Sequence, residues 1–261
     1  VKKRKGGDPM GEFRHVLRRI FSLHEDSATH EEIRARILSG GQVTGTNMCV
    51  LICAILIASV GLNLGSAAVI IGAMLISPLM GSLLAMAYGT VSADKRQFER
   101  NVYGFMLQVL VSLMVSTLYF LLSPLNEPSA ELLARTDPGF FDVLIAVAGG
   151  FAGIIGNTRK DKANNVIPGV AIATALMPPL CTCGYSIAHG EWKMLAGAAY
   201  LFTVNCYFIY MAAAVVLSVL SIPKVEQLTE RQWKRLRRSM IRNTVIIVIP
   251  SMILTFVIAK T

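Results

Sequence analysis

Ser77-Pro78 and Pro178-Pro179 stand in the middle of long apolar runs, and their types and spacing are the clearest opening for chemistry in the chain. A serine followed by proline suits a helix start, with the serine as N-cap and the proline at the first helical position. Each proline removes an amide N–H, and a helix restarting inside a membrane exposes amide donors at the positive end of its dipole. Two such ends facing each other suit an anion or a polar zwitterion, while carbonyls freed on the preceding half-helix suit Na⁺ or K⁺. The same prolines also read as kinks in packed helices whose freed groups are satisfied by neighbours. The candidate ion or solute pathway comprises Gly72, Ser77, Pro78 and Gly81 in one run, Thr174, Pro178, Pro179 and Thr182 in a second, and Asn205 from a third.

Other chemistries have less support. No Asp, Glu, Lys, Arg or His lies deep in any apolar run, and Asp142 and His189 fall near run ends, so a buried proton relay is not expected. The remaining intramembrane polar set includes Ser66, Gln108, Ser186, Thr203, Tyr207 and Tyr210, neutral groups that bind polar solutes or, more often, join helices. Cys181-Thr182-Cys183 has no histidine at ligand spacing, and the other thiol pair, Cys49 and Cys53, belongs to a different run, so no metal or cofactor is expected. No Ser-His-Asp or Cys-His set shares one depth and no H-E-x-x-H occurs, which argues against an enzyme.

The elements that must position these residues are membrane helices. Of 261 residues, 54% are hydrophobic and 16% charged, against about 25% charged in an ordinary soluble domain. Seven runs approach the roughly 20 residues that cross a bilayer: Thr46 to Leu62, Ser66 to Val91, Val102 to Leu122, Phe140 to Ile155, Val166 to Ala188, Met194 to Leu220 and Val245 to Ala259. Backbone groups in lipid must bond internally and the alternation of a barrel strand is absent, so the predicted fold is an all-α polytopic membrane protein. The five cysteines all fall inside these runs, where no disulfide framework is expected.

The net charge of +9 follows the same plan. Counted outside the runs, Lys and Arg alternate so that 22 fall on one side and 3 on the other, which predicts a cytoplasmic N-terminus and an outside C-terminus. No nucleic-acid-binding pattern accompanies the basic residues. Residues 1–43 form a basic cytoplasmic arm with helical spacing at 11–22 and 29–38, the second opened by a Thr29/Glu32 capping box and closed by Gly40-Gly41. The first run follows this arm and is expected to remain as a span rather than be cleaved as a signal peptide. Residues 222–242 form a basic amphipathic loop in which Arg231, Trp233, Lys234, Arg235, Arg237 and Arg238 suit an anionic inner leaflet.

The chain also repeats itself. VIIGAMLISPLMGSLLAMAYG (69–89) aligns with VAIATALMPPLCTCGYSIAHG (170–190) at seven identities, Pro78 with Pro179 among them. By the charge alternation the two segments cross in opposite directions. Residues 44–123 and 139–221 therefore read as a 3+3 inverted repeat, each with a proline-broken second helix, followed by a seventh helix at 243–261. Inverted repeats with interrupted helices are a recurring plan of transporters, with the substrate near the midplane. Gly149 and Gly153, beside Gly150 and Ala152, offer a close-packing face for another helix of this chain or for a second copy in a homo-oligomer.

The stretch ILIASVGLNLGSAAVIIGAMLISPLMGSLLAMAYGTVSADKRQF (55–98) resembles the signature of the prokaryotic hydrophobic membrane proteins grouped as domain of unknown function 389. NNVIPGVAIATALMPPLCTCGYSIAHGEW (164–192) is similar to that family's other marked segment, so the resemblance spans roughly residues 45–220. It implies a multi-pass protein of the bacterial or archaeal cell (inner) membrane and supplies no substrate. Family members often carry Gly-Pro where this chain has Gly81-Ser82. The leading expectation is a transporter or channel for a small ion or polar solute, and the alternative is a non-transporting scaffold or sensor acting through its basic cytoplasmic segments.

Overall fold

The computed structural model describes residues 27–125, 127–136, 139–160, 166–225, 238 and 242, with side chains at all of these except 140 and 166–175. Among them the regular elements are helices: α1 His30–Gly40, α2 Gly45–Asn63, α3 Ala67–Ile76, α4 Leu79–Val91, α5 Lys95–Leu122, α6 Ala130–Leu133, α7 Phe140–Thr158, α8 Val166–His189 and α9 Trp192–Val219.

Local chemistry sets the helix ends. Thr29 caps α1 by accepting the Glu32 N–H while the Glu32 carboxylate accepts the Thr29 N–H, and Gly41 closes the helix as expected. Thr44 caps α2 through the Asn47 N–H. At its other end Ser66 N–H bonds the Gly61 carbonyl and Gly65 N–H the Leu62 carbonyl, with Gly65 at φ +64°. This is the paired helix-stop geometry for which glycine is favoured because a Cβ disfavours positive φ. Asp142 and His189 sit at helix ends: the Asp142 carboxylate accepts the Gly139 N–H at the start of α7, and His189 is the last residue of α8.

Four helices, α2, α5, α7 and α9, are long and apolar enough to cross a membrane, and the pair α3 and α4, bent by 47° at the Ser77-Pro78 break, makes a fifth span. Seven spans are therefore not reached among the described residues. The fifth predicted run is the helix α8, the seventh (Val245 to Ala259) lies outside the described residues, as does the predicted helix at 11–22.

The surface is that of a helical membrane protein. On α5 the outward face carries Met106, Leu110, Met114, Leu118 and Leu121, each more than half exposed, while the inward face holds the fully buried Gln108, Ser112 and Ser116. Water would favour the reverse arrangement, and a hydrocarbon solvent favours this one.

α2 packs on α3 and α5, α4 packs on α5, and α7, α8 and α9 pack pairwise, which gives two groups of helices, α2–α5 and α7–α9. Across the groups α5 packs on α8 and α9 packs on α4. At one end of the bundle the Ala28 N–H bonds the Thr158 carbonyl at 2.7 Å and the Val225 N–H bonds the Ser92 carbonyl at 2.7 Å. At the far end Ser129 Oγ bonds the Leu62 carbonyl and Gly197 abuts the Thr136 backbone. The described loops with several basic residues thus gather at the end where α1 lies.

One expectation about the second group is corrected. No break occurs at Pro178-Pro179, because α8 runs continuously through both. The prolines withhold the donors that would serve the Thr174 and Ala175 carbonyls, yet every residue from Leu176 to Ser186 is buried and α8 is enclosed by helices of both groups. Packing on all sides keeps the helix straight enough to persist, as neighbouring helices do for proline-containing membrane segments. Gly150, in the small-residue face of α7, is used inside the chain, where a Cβ would stand 2.8 Å from Ala212 Cβ of α9.

Candidate functional site: the Ser77-Pro78 break

Ser77, with extended backbone (φ −72°, ψ 129°), is the C-cap of α3, and Pro78 (φ −83°, ψ −3°) is the N-cap of α4, whose first residue is Leu79. The expected serine N-cap with proline at the first helical position is corrected by one residue, because the serine still closes the preceding half-helix. Few hydrogen bonds cross the break. Ser77 N–H reaches the Met74 carbonyl at 3.3 Å, Gly81 N–H the Pro78 carbonyl at 3.1 Å, and Leu79 N–H the Ser77 Oγ at 3.5 Å. Among the described residues the Leu75 and Ile76 carbonyls and the Met80 N–H have no backbone partner. The interruption therefore leaves two carbonyls on one side and one N–H on the other without a backbone partner, as a proline break does.

Beside the break is a cavity of about 390 Å³ lined by Arg36, Ile37, Ser39 and Gly40 of α1 and its end, Asn47 of α2, Ser77, Pro78, Met80, Gly81 and Leu84, and Asn157 of α7. It meets the donor side of the break, since Met80 and Gly81 line it and Leu75 and Ile76 do not. Among the described residues its one charged lining residue is Arg36, whose guanidinium donates to the Arg159 and Lys160 carbonyls. A helix N-terminus and a guanidinium, with no carboxylate among the described lining residues, give the space a positive potential.

Of the residues singled out in the sequence, Ser77, Pro78 and Gly81 share this wall. Gly72 is exposed on α3, with open space where a Cβ would be. Pro178, Pro179, Thr182 and Asn205 are buried in α8 and α9, outside the cavity lining. Thr182 Oγ1 bonds back to the Pro178 carbonyl at 2.9 Å. The Thr174 side chain lies outside the described residues, as do Arg231, Trp233, Lys234, Arg235 and Arg237, whereas Arg238 is exposed. The cavity opens beside α1 instead of lying between two facing breaks.

Arg36, Asn47 and Asn157 join the site only through tertiary packing. A second polar group, on α5, has a sequence signal in the four-residue spacing of Gln108, Ser112 and Ser116. Ser82 Oγ donates to Gln108 Oε1 at 2.9 Å and Ser112 Oγ to the Gln108 carbonyl at 2.7 Å. Ser59 Oγ donates to Ser116 Oγ at 3.3 Å, and Ser116 Oγ to the Cys181 carbonyl of α8 at 3.0 Å.

A family model described as domain of unknown function (DUF389) matches residues 74–211. An uncharacterized protein of Methanocaldococcus jannaschii is 26% identical over 189 residues, which are 72% of this chain and 57% of that protein. The chain thus spans less than two thirds of that relative's length. No solved structure matches.

Proposed function

The chain belongs to the DUF389 family, and from its apolar helices and interrupted helix pair we propose that it is an integral membrane transporter or channel for a small ion or polar solute. The observation that carries this reading is the Ser77-Pro78 break, set in an apolar segment and bordering a polar cavity of about 390 Å³. Non-helical backbone at membrane depth is tolerated where it is enclosed by protein or lines a cavity, and both transporters and channels use it to meet their solutes.

One pair of helix contacts fits a repeat, which we read as inverted from the charge alternation; among the described residues the α2–α8 contact has no comparable counterpart between α7 and α3–α4. Exchanging the first, second and third spans of one group with those of the other carries the α5–α8 contact onto the α9–α4 contact, and both are present. The site then belongs to the first repeat alone, because α8 is unbroken. In this reading the α1 end faces the cytoplasm, and the basic loop at 222–242 meets anionic lipid of the inner leaflet.

Flux through the purified full chain in liposomes tests the proposal, with Na⁺, K⁺, protons, inorganic anions and small zwitterions offered separately. Selective flux that falls in Ser77→Ala, at unchanged thermal stability, is the expected result. Folded, inserted protein that moves none of them would overturn it and favour a scaffold acting through the basic segments.

A further inference from the structure

We propose that the buried polar face of α5 from Gln108 to Ser123 is the path taken by a small uncharged solute that both donates and accepts hydrogen bonds, of the size of urea or glycerol. The assignment rests on the transport reading above and names its route and solute class.

Gln108, Ser112, Ser116, Tyr119 and Ser123 follow one another about one turn apart along α5. Side chains of α2 and α4 continue the line. Ser82 meets Gln108, Ser59 meets Ser116, and one turn beyond Ser59 the Asn63 Nδ2 donates to Tyr119 Oη at 3.3 Å and Ser123 Oγ at 2.6 Å. Ser59, Ser82, Gln108, Ser112 and Ser116 are all 0% exposed.

Polar side chains that only fasten helices together satisfy one another. Here the two ends of the line do not. Among the described residues Gln108 Nε2 and Asn63 Oδ1 are buried with no hydrogen-bond partner, and each costs about 1–3 kcal/mol if left so. One is a donor and the other an acceptor. A neutral solute carrying both functions satisfies each in turn, whereas a cation or an anion suits one of them. No charged side chain belongs to the line, so an ion would enter it without a counter-charge, at a high desolvation cost.

The test is the permeability of proteoliposomes to urea and glycerol, by light scattering, beside Na⁺ and Cl⁻. The variants are Gln108→Leu and the double variant Ser82→Ala/Gln108→Leu, which removes both partners so that neither is left unpaired should the single variant fold poorly. The wild-type chain is expected to pass the uncharged solutes, and the variants to pass them about tenfold or more slowly at an unchanged thermal midpoint. Wild-type protein that passes only ions, or a folded variant that passes urea at the wild-type rate, overturns the route and leaves the transport reading standing. Wild-type selectivity alone decides the solute class, whatever the variants do. Folded wild-type protein that passes nothing overturns both.

Discussion

Gly81 of α4 is in backbone contact with Gly40 at the end of α1: a Cβ on Gly81 would stand 2.0 Å from the Gly40 carbonyl oxygen and 2.5 Å from its carbon. The contact is one-sided, since a Cβ on Gly40 would meet Gly81 Cα at an ordinary 3.8 Å. Backbone cannot swing aside as a flexible side chain can, so a methyl group at 81 must move α1 off the cavity wall.

Gly81→Ala should therefore cost about 1–3 kcal/mol, the range for forcing extra atoms into a packed contact, while Gly40→Ala should cost little. Thermal melting in detergent, with the rate of proteolysis at Gly40-Gly41, distinguishes the two. Equal losses would mean that the crossing is looser than described.

The two proline sites should respond in opposite ways. Pro78→Ala restores an N–H at the break, so the 47° bend should relax and the distance between spin labels at Ile71 and Lys95 should lengthen. Pro178→Ala lies in a helix that is already continuous. It returns a donor to the Thr174 carbonyl and should raise the thermal midpoint or leave it unchanged, without moving labels on α8. A fall in stability for Pro178→Ala would show that its ring packing outweighs the recovered hydrogen bond.

That difference marks what could be read from residues alone. The first six apolar runs, the Thr29/Glu32 capping box, the Gly41 stop and the Ser77-Pro78 break depend on local chemistry, and each is present. Whether a proline pair breaks its helix depends instead on what surrounds it, and Pro178-Pro179 lies in the stretch from Leu176 to Ser186, every residue of which is buried. The pairing of Gly81 with Gly40 has no local signature, because a crossing between α1 and α4 creates it. Asn47 and Asn157, 110 positions apart, reach one cavity because the start of α2 and the end of α7 share one end of the bundle. Gln108 stands in the polar set read from the sequence and Ser112 and Ser116 do not; that the three form one inward face follows from packing against α4, α2 and α8.

Gly184 tests the close approach of α8 to α5, and Gly72 on α3 is its open counterpart. A Cβ on Gly184 would stand 2.4 Å from Ser116 Oγ and 2.5 Å from its Cβ, whereas one on Gly72 meets nothing within 4 Å. Gly184→Ala should lower the thermal midpoint and disturb the Ser59–Ser116 pair. Gly72→Ala should stabilise by about 0.5–1 kcal/mol through helix propensity and leave any flux unchanged. Loss of flux in Gly72→Ala would return that residue to the pathway.

Arg36 holds α1 across the two helix groups. Ile33 and Ile37 bury their side chains in one cluster with Leu84 and Tyr88 of α4, while the Arg36 guanidinium donates to the Arg159 and Lys160 carbonyls beyond the end of α7. The Ala28 N–H bond to the Thr158 carbonyl lies beside it. The segment 28–40 thus ties the first group to the second at the mouth of the Ser77-Pro78 cavity. Arg36→Ala removes the side-chain tie and spares the apolar anchor, so α1 should stay helical on α4 while its link to α7 opens. Faster hydrogen exchange at the Ala28 amide should report this, together with faster thiol labelling of a cysteine placed at Ser77. Arg36→Lys should behave more like alanine than arginine, because one ammonium cannot reproduce a planar fork reaching two carbonyls. Unchanged exchange at Ala28 in Arg36→Ala would leave the backbone bond as the tie and remove Arg36 from the control of the cavity mouth.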